Sequence, residues 1–212
     1  MLVSILICSF KESNHLYKTL SSINDTFPSK YEREILTDIE EKRTGISNTP
    51  KRYMNLFKKS RGDIIVKSDD DVMYYLNWFD LCLDVLNNYK NIGYVGPISH
   101  ELMKQMKIRH AFNNFPIIPN GIRYEPVASG MCWVFYRKLW NEIPYNDLKT
   151  FNLDGEYANR VNKKGYKIAV LNGALISHLG QDRYKGISTD IPGRLPSNDF
   201  RKNNPHQVYR PC

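Results

Sequence analysis

The sequence predicts an α/β fold, a single domain with a mostly parallel central sheet flanked by helices. Two observations lead to this prediction. Apolar, strand-like runs alternate with segments of helical spacing through the first half of the chain, which is the pattern of a parallel sheet. The third of these runs, at residues 64–66, leads within two residues into three consecutive aspartates, Asp69, Asp70 and Asp71. In open α/β folds ligands bind at the carboxyl ends of the strands, so the aspartates mark a candidate site.

The first half of the chain contains three predicted strands. Residues 3–10 form a near-continuous apolar run, as expected of a strand that is covered on both faces. Helical spacing over residues 14–23 follows, and a second short strand ends near Asp38. A predicted helix over residues 51–59 then leads through the turn at residues 61–63 into the third strand. This order of strands and helices is that of parallel βαβ units.

The second half continues the alternation less regularly. Predicted helices cover residues 78–89, 138–143 and 154–164, and predicted strands cover residues 92–95, 127–136, 166–171 and 174–178. Over residues 100–121 basic and aromatic side chains interleave, as on a sugar- or nucleic-acid-binding surface or on an ordinary solvated loop. Residues 181–212 hold four prolines and six Lys or Arg against three Asp, so we expect a basic, loop-rich extension after a domain of residues 1–180.

Composition and charge narrow the classes of function. The 212 residues suffice for one domain, and the net charge of +8 favours acidic partners such as nucleic acid, anionic glycans or nucleotide-linked substrates. The four cysteines form no CxxC pair, which argues against a zinc site or a disulfide framework and favours a reducing compartment. No stretch approaches the roughly 20 apolar residues of a membrane span. We therefore expect a soluble protein of the cytoplasm, or of the host-cell cytoplasm if the protein is viral.

The three aspartates predict a bound cation. Adjacent carboxylates repel one another, and Mg²⁺ or Mn²⁺ bound by one or two carboxylates usually also holds substrate phosphates. A solvated acidic turn is the alternative. A calcium-binding EF-hand is disfavoured because its sixth and twelfth positions, counted from Asp69, are Tyr74 and Asp80 rather than Gly and Glu. A phosphatase of the haloacid-dehalogenase type also places Asp-X-Asp after a strand, normally the first strand of the domain, whereas here it is the third.

Four segments in this order resemble the GT-A-fold nucleotide-sugar glycosyltransferases, especially the inverting family two. They are VSILICSFKE, RGDIIVKSDDDV, ASGMCWVFYRKLW and NLDGEYANRVNKKGYKIAVLNGALISHLG. The resemblance implies sugar transfer from a nucleotide-sugar donor, most readily a UDP-sugar, with Mn²⁺ or Mg²⁺ as the metal. It also implies a nucleotide-binding half over residues 1–97 and an acceptor and catalytic half over residues 98–180.

The same resemblance implies the residues that bind the nucleotide. Asp69 resembles the acid that contacts the ribose, and Asp38 the acid that reads the pyrimidine edge. Ser9 and Phe10 would line the base pocket, and Arg52 resembles an arginine that precedes the third strand, although it is one residue out of register. For Phe10, packing in the core is the alternative.

The metal and the reacting groups follow in the same way. Asp71 and His178 resemble the metal ligands, and Asp154 resembles the catalytic base. Asp is also a favoured N-cap residue, and Leu153 stands where the family has Glu before this aspartate. For His178 the alternative is a histidine at the edge of the core. On the acceptor side the resemblance suggests Glu156, Gly130 and Trp133.

The acceptor is open at this point. A hydroxyl of a glycan is the usual acceptor in this family, whereas the basic charge favours a hydroxymethylated base of viral DNA, which would have to leave the duplex stack to reach the donor. A different class of function is a non-catalytic module that binds glycan or nucleic acid on a degenerate glycosyltransferase fold.

Overall fold

One mixed sheet with helices on both faces organises the chain. The computed structural model describes residues 1–10, 13–40, 48–99, 117–118, 122–125, 128, 130–146 and 153–179. Its strands are β1 Leu2–Phe10, β2 Glu32–Glu40, β3 Ile64–Asp69, β4 Val72–Tyr74, β5 Ile92–Ser99, β6 Ile117–Ile118, β7 Ile122–Glu125, β8 Cys132–Tyr136 and β9 Lys167–His178. Its helices are α1 Asn14–Thr26, α2 Thr49–Lys59, α3 Trp78–Asn88, α4 Arg137–Glu142 and α5 Leu153–Lys163.

The strands lie in the order β2-β1-β3-β8-β5-β9-β7-β6, and β4 pairs with β9 beside this row. The pairings of β1 with β2 and β3, and of β5 with β9, are parallel, as the sequence predicts. Strand β8 runs antiparallel between β3 and β5, and β7 adds a further antiparallel partner to β9. The α/β class with flanking helices is therefore confirmed, and parallel pairing describes mainly the first half.

Hydrophobic side chains pack on both faces of the sheet. Val3, Ile5 and Ile7 of β1 face α1 and α3, whereas Leu6 faces α2, α4 and α5. Successive side chains of a strand point to opposite faces, so a strand buried on both sides has the continuous apolar run of β1. No helix of the described ranges is long and apolar enough to span a membrane.

Several predicted boundaries differ from the structure. The strands predicted at residues 166–171 and 174–178 are one strand, β9. Strand β8 begins at Cys132 instead of near residue 127, and β4, with three residues, has too few positions to show a periodicity. The predicted extension at residues 181–212 lies outside the described residues, as does most of the interleaved stretch at residues 100–121.

Candidate active site

The carboxyl ends of the first three strands place acidic residues side by side. In the parallel register Cys8 of β1 lies opposite Asp38 of β2 on one side and opposite Asp69 of β3 on the other. Burial raises the pKa of the Cys8 thiol to about 12, so this thiol stays neutral. The row Asp38–Cys8–Asp69 thus presents two carboxylates, separated by an inert residue, at the edge where ligands bind in such sheets.

Arg52 of α2 joins the ends of β1 and β2. Its Nε donates to Asp38 Oδ1 at 3.0 Å, and its Nη2 donates to the carbonyl oxygens of Ser9 at 2.7 Å and Asp38 at 2.6 Å. Its Nη1 donates to Glu40 Oε2 at 3.2 Å. Arg52 therefore contacts Asp38, a second residue predicted for the nucleotide site, but most of its N–H groups bind the protein itself. A direct contact of Arg52 with the nucleotide stays a prediction.

The turn after β3 is fixed to β1 and α1. The Ser9 hydroxyl donates to Asp70 Oδ2 at 2.5 Å, and the Thr19 hydroxyl donates to the Asp70 carbonyl at 2.9 Å and accepts from the Val72 amide at 3.1 Å. Asp70 is therefore a structural acceptor in this turn. Phe10 keeps 40% of its surface exposed at the end of β1, so its ring is on the surface and not in the core.

The predicted metal ligands lie together. His178 Nε2 is 3.3 Å from Asp71 Oδ2, and both side chains are partly exposed. Strand pairing sets this contact: Val72 of β4 lies opposite His178 of β9, and the Leu179 amide donates to the Asp71 carbonyl at 2.7 Å. Within the described ranges no group of three or more His, Cys, Asp or Glu side chains could hold a metal. A carboxylate and an imidazole fit a Mn²⁺ or Mg²⁺ ion whose other positions belong to substrate phosphate oxygens.

A buried lysine that the sequence analysis missed lies beside Asp69. Lys67 of β3 has 3% of its side chain exposed, and its Nζ lies 3.2 Å from Asp69 Oδ1. The ammonium group also donates to the Gly130 carbonyl. It lies 4.9 Å from the ring centroid of Tyr53 and 4.8 Å from that of Trp133. Its signal in the sequence is a basic residue that directly follows the apolar run at residues 64–66 of a predicted strand.

Asp154 and this lysine lie against the same residue, Gly130. It is in the first turn of α5 and accepts a hydrogen bond from the Gly130 amide. Burial raises the pKa of Asp154, and the Lys67 charge opposes this rise. A Cβ atom on Gly130 would be 2.2 Å from Asp154 Oδ2, so glycine is required for this close approach. The Asp154 carboxyl group therefore makes tertiary contacts with β3 and with the turn before β8, beyond any role in helix capping.

Asp69 connects the lysine and the metal pair. Burial of its carboxyl group, with further contributions from the Asp71 and Asp154 charges, raises its pKa to about 6, although the Lys67 charge lowers it. At the same time 39% of the Asp69 side chain is exposed. A carboxyl group that is surrounded by protein and still reached by solvent lies on a concave surface, so we place Asp69 in such a depression. Asp69, Asp71, Asp154 and His178 are thus brought to one region of the sheet edge.

The residues predicted on the acceptor side are only partly in this region. Gly130 contacts Asp154 directly. Trp133 is fully buried, and its ring stacks on that of Tyr157 with the ring centroids 5.5 Å apart; its contact with an acceptor stays a prediction. Four consecutive side chains of β8, Cys132 to Phe135, are buried, so both faces of this strand are covered. Glu156 forms an ion pair with Arg160 at 2.8 Å, one turn along α5, and its contact with an acceptor stays a prediction.

Comparisons with known proteins agree with this architecture. No protein-family model matches the chain, and no curated protein matches it in sequence. Among solved structures, GalNAc-T7 with UDP, GalNAc and Mn²⁺ superimposes with a TM-score of 0.60 at 12% identity, over 83% of this chain and 42% of that one. The mannosyltransferase PcManGT from Pyrobaculum calidifontis, in complex with GDP-Man and Mn²⁺, gives 0.60 at 14% identity, over 84% and 56%. The chain spans about half the length of these structures, and at such identity the likeness establishes the fold: this chain has the GT-A-type glycosyltransferase fold.

Proposed function

We propose that this protein is a metal-dependent glycosyltransferase that moves a sugar from a nucleotide-sugar donor to an acceptor hydroxyl. The observation that carries the proposal is the convergence of Asp69, Asp71, Asp154 and His178 at one edge of the sheet. The two solved structures of similar fold hold Mn²⁺ with UDP and GalNAc or with GDP-Man, which supports the same class of ligands here. Both of those matches are to glycosyltransferases, which favours sugar transfer over the phosphatase considered from Asp-X-Asp alone.

Asp71 and His178 would hold the divalent cation. When bound, the cation would neutralise the negative charge that develops on the departing diphosphate. Asp71 directly precedes β4 and His178 ends β9, and the antiparallel pairing of these two strands fixes the separation of the two side chains. Because one carboxylate and one imidazole leave most coordination positions of Mn²⁺ or Mg²⁺ unfilled, diphosphate oxygens can complete the shell. The metal site would then be complete only with the donor present.

The nucleoside would lie along the ends of β1, β2 and β3. Asp69 would accept a hydrogen bond from the ribose, and the exposed ring of Phe10 would stack on the base. Asp38, oriented by Arg52, would accept an N–H of the base. A uracil presents one such N–H beside two carbonyl groups, so we propose a UDP-sugar as the donor.

Asp154 would be the base of a single, inverting displacement. The acceptor oxygen forms a bond to the anomeric carbon from the face opposite the diphosphate, and its proton passes to the Asp154 carboxylate. The bond between the anomeric carbon and the diphosphate oxygen breaks, and its electron pair leaves with the nucleoside diphosphate. A positioned carboxylate contributes roughly 10²–10⁴-fold to such a reaction. The Gly130 amide holds Asp154 in place for this task.

For the acceptor we propose a hydroxyl of a glycan or of a hydroxymethylated DNA base. The net charge of +8 favours an anionic acceptor, and DNA is the most anionic of the candidates. A DNA acceptor would make binding fall steeply as salt rises, whereas a neutral glycan would not.

The competing function is a binding module without chemistry. Leu153, in place of the acid that precedes the base in the family, is the observation that favours it. Against it stands the buried ammonium group of Lys67 between partly buried carboxylates, because a charge taken out of water is costly to retain without a use. A reducing compartment agrees with the free thiols of Cys8, Cys82 and Cys132.

A two-step experiment tests the proposal. First, thermal unfolding is measured with a panel of UDP-, GDP- and dTDP-sugars, each with and without Mn²⁺. We expect one UDP-sugar to raise the melting temperature only when Mn²⁺ is present, since a ligand that binds the folded state stabilises it. Second, donor consumption is measured with glycans and with hydroxymethylated DNA as acceptors. Metal-dependent binding without turnover on any acceptor would favour the binding module, and no binding of any donor would overturn the proposal.

A further inference from the structure

We propose that Lys67 is the positioning residue of this site, the counter-ion that holds the Asp154 carboxylate ionised and in place for proton transfer. The inference rests on the proposed function, in which Asp154 accepts the acceptor's proton. It assigns a role to a residue that is separate from the metal ligands and from the side chains that would touch the nucleotide.

The first argument is the burial of the lysine. Lys67 lies on a central strand with 3% of its side chain exposed, and lysine is almost never fully buried unless it is paired. Burial by itself would favour the neutral amine, yet the neighbouring carboxylates Asp69 and Asp154 raise the pKa of Lys67 above its ordinary value. A charge kept in such a place has its counter-charges close by.

The second argument is the fixed position of the ammonium group. Lys67 Nζ donates to Asp69 Oδ1 at 3.2 Å and to the Gly130 carbonyl, and the rings of Tyr53 and Trp133 lie 4.9 and 4.8 Å away. Trp133 is also the residue opposite Lys67 in the pairing of β3 with β8. Aromatic faces attract a cation, so hydrogen bonds and ring faces together restrict the ammonium group to one place.

The third argument is that one glycine joins the lysine to the base. Gly130 accepts from Lys67 through its carbonyl oxygen and donates to Asp154 through its amide. The residue that Lys67 holds through its carbonyl group therefore also lies against the Asp154 carboxylate, where a Cβ atom would be 2.2 Å from Oδ2. Loss of the ammonium group would release this segment and remove a positive charge at the same time.

The surroundings of Asp154 otherwise oppose its ionisation. Asp69 on β3 is a like charge, and Tyr94 on β5 and Tyr145 after α4 are buried phenols whose own pKa values the Asp154 charge raises. Burial raises the pKa of Asp154, and Lys67 is the cation that counters it. A lysine enclosed to this degree has little surface for the donor diphosphate, so its effect on the reaction passes through its neighbouring carboxylates: Asp69, which it contacts directly, and Asp154.

The test compares Lys67→Met with Lys90→Met, which removes an exposed lysine at the end of α3. Turnover and donor KM are measured across pH with the full chain and Mn²⁺. For Lys67→Met we expect the acid limb of the kcat profile to move to higher pH by about one unit or more, because an opposite charge nearby lowers a carboxyl pKa by that order. For Lys90→Met we expect the wild-type profile. An acid limb in Lys67→Met that coincides with the wild type would overturn the proposal.

A second measurement separates this inference from the proposed function and needs no turnover. Denaturant unfolding is compared for wild type, Lys67→Met, Asp154→Asn and the double variant. We expect Lys67→Met to lower the unfolding midpoint and Asp154→Asn to restore part of that loss. If the double variant is no more stable than Lys67→Met, or if neither folds while Asp154→Asn does, the pairing of Lys67 with Asp154 is overturned. A wild type that transfers no sugar would instead count against the proposed function.

Discussion

The Nε2 atom of His178 lies 3.3 Å from the Oδ2 atom of Asp71, although the two residues belong to distant parts of the chain. Strand β4 makes this contact possible. It is three residues long, and it pairs with the end of β9 so that Val72 lies opposite His178. A cation held between these side chains would also join the two strands, so metal binding and the local fold should depend on each other.

Removal of either metal ligand should abolish metal-dependent donor binding. For Asp71→Ala and His178→Ala we expect no Mn²⁺-dependent rise in melting temperature with the donor that stabilises the wild type, because each change removes one of the two proposed protein ligands. Excess chelator should have the same effect on the wild type. Asp84→Ala, at an exposed position of α3, is the matched control and should respond like the wild type. Full transfer activity in excess chelator or in Asp71→Ala would remove the metal from the proposed mechanism.

Replacement of the proposed base should separate chemistry from binding. Asp154→Asn preserves the shape of the side chain but not its ability to take a proton, so we expect the donor dissociation constant to stay within about threefold and kcat to fall by roughly 10²–10⁴-fold. Calorimetry of donor binding and steady-state kinetics give the two quantities. Asp84→Asn serves as the control. An unchanged kcat would leave Asp154 with a structural role in the first turn of α5.

The stability of the same variant, relative to the wild type, should rise from acidic to neutral pH. Burial raises the pKa of Asp154 in the folded protein, so its contribution to folding is complete below the unfolded value of about 3.9 and is lost as pH rises through the folded value. Asparagine carries no charge at any pH. We therefore expect the free energy of unfolding of Asp154→Asn, relative to wild type, to increase from acidic to neutral pH. Denaturant unfolding at several pH values measures it, and a difference that stays constant with pH would contradict the assignment.

Residue types in the sequence indicated which carboxylate and imidazole groups lie together, but they did not indicate which side chains are buried. Asp71 and His178 follow from a family pattern, and strand pairing brings them together. Lys67 was missed because lysine is usually exposed, and a single basic residue in an apolar strand carries no periodicity. Its burial becomes evident only from the pairing of β3 with β8, which places Trp133 opposite it. Trp133 itself was assigned to the acceptor side because neighbouring strands, and hence burial, cannot be read from a local segment.

Arg52, unlike Lys67, was identified from the sequence although its position does not match the family pattern. Its position in the sequence is one residue away from the family pattern, yet its guanidinium group reaches both Asp38 and the Ser9 carbonyl. An arginine side chain is long, and its five N–H groups can satisfy several acceptors from slightly different starting points. For such a residue, the length and the donor groups of the side chain therefore predict its contacts better than its spacing along the helix does.

A methyl group at Gly130 should displace the base. In Gly130→Ala the new Cβ would be 2.2 Å from Asp154 Oδ2, so we expect kcat to fall by about tenfold or more while donor affinity changes little. Gly93→Ala is the matched control, because its new Cβ would be 2.8 Å from Val161 Cγ1, an atom of the core. It should lower stability without lowering kcat. Steady-state kinetics and thermal unfolding of both variants give the comparison. Equal kcat values for Gly130→Ala and wild type would show that Asp154 has other acceptable positions.

Conversion of Arg52 to lysine should weaken donor binding and leave kcat nearly unchanged. Arg52 donates to Asp38, to Glu40 and to two backbone carbonyls, and a lysine ammonium group lacks the planar fork needed to reach all of them. The Asp38 carboxylate would lose its fixed orientation. We expect the donor KM to rise by roughly tenfold, about the effect of one charge-assisted hydrogen bond, with kcat at saturating donor within about threefold of wild type.

Arg61→Lys is the matched control for this change. Arg61 is highly exposed and pairs with Glu34 at 3.3 Å, and exposed ion pairs contribute little to stability. Its kinetic constants should equal those of the wild type. If Arg52→Lys lowers kcat as much as it raises KM, Arg52 acts on the transition state and reaches the diphosphate itself. If it changes neither constant, the carboxylate of Asp38 does not read the base, and nucleotide recognition would then depend on Asp69 and on the ring of Phe10.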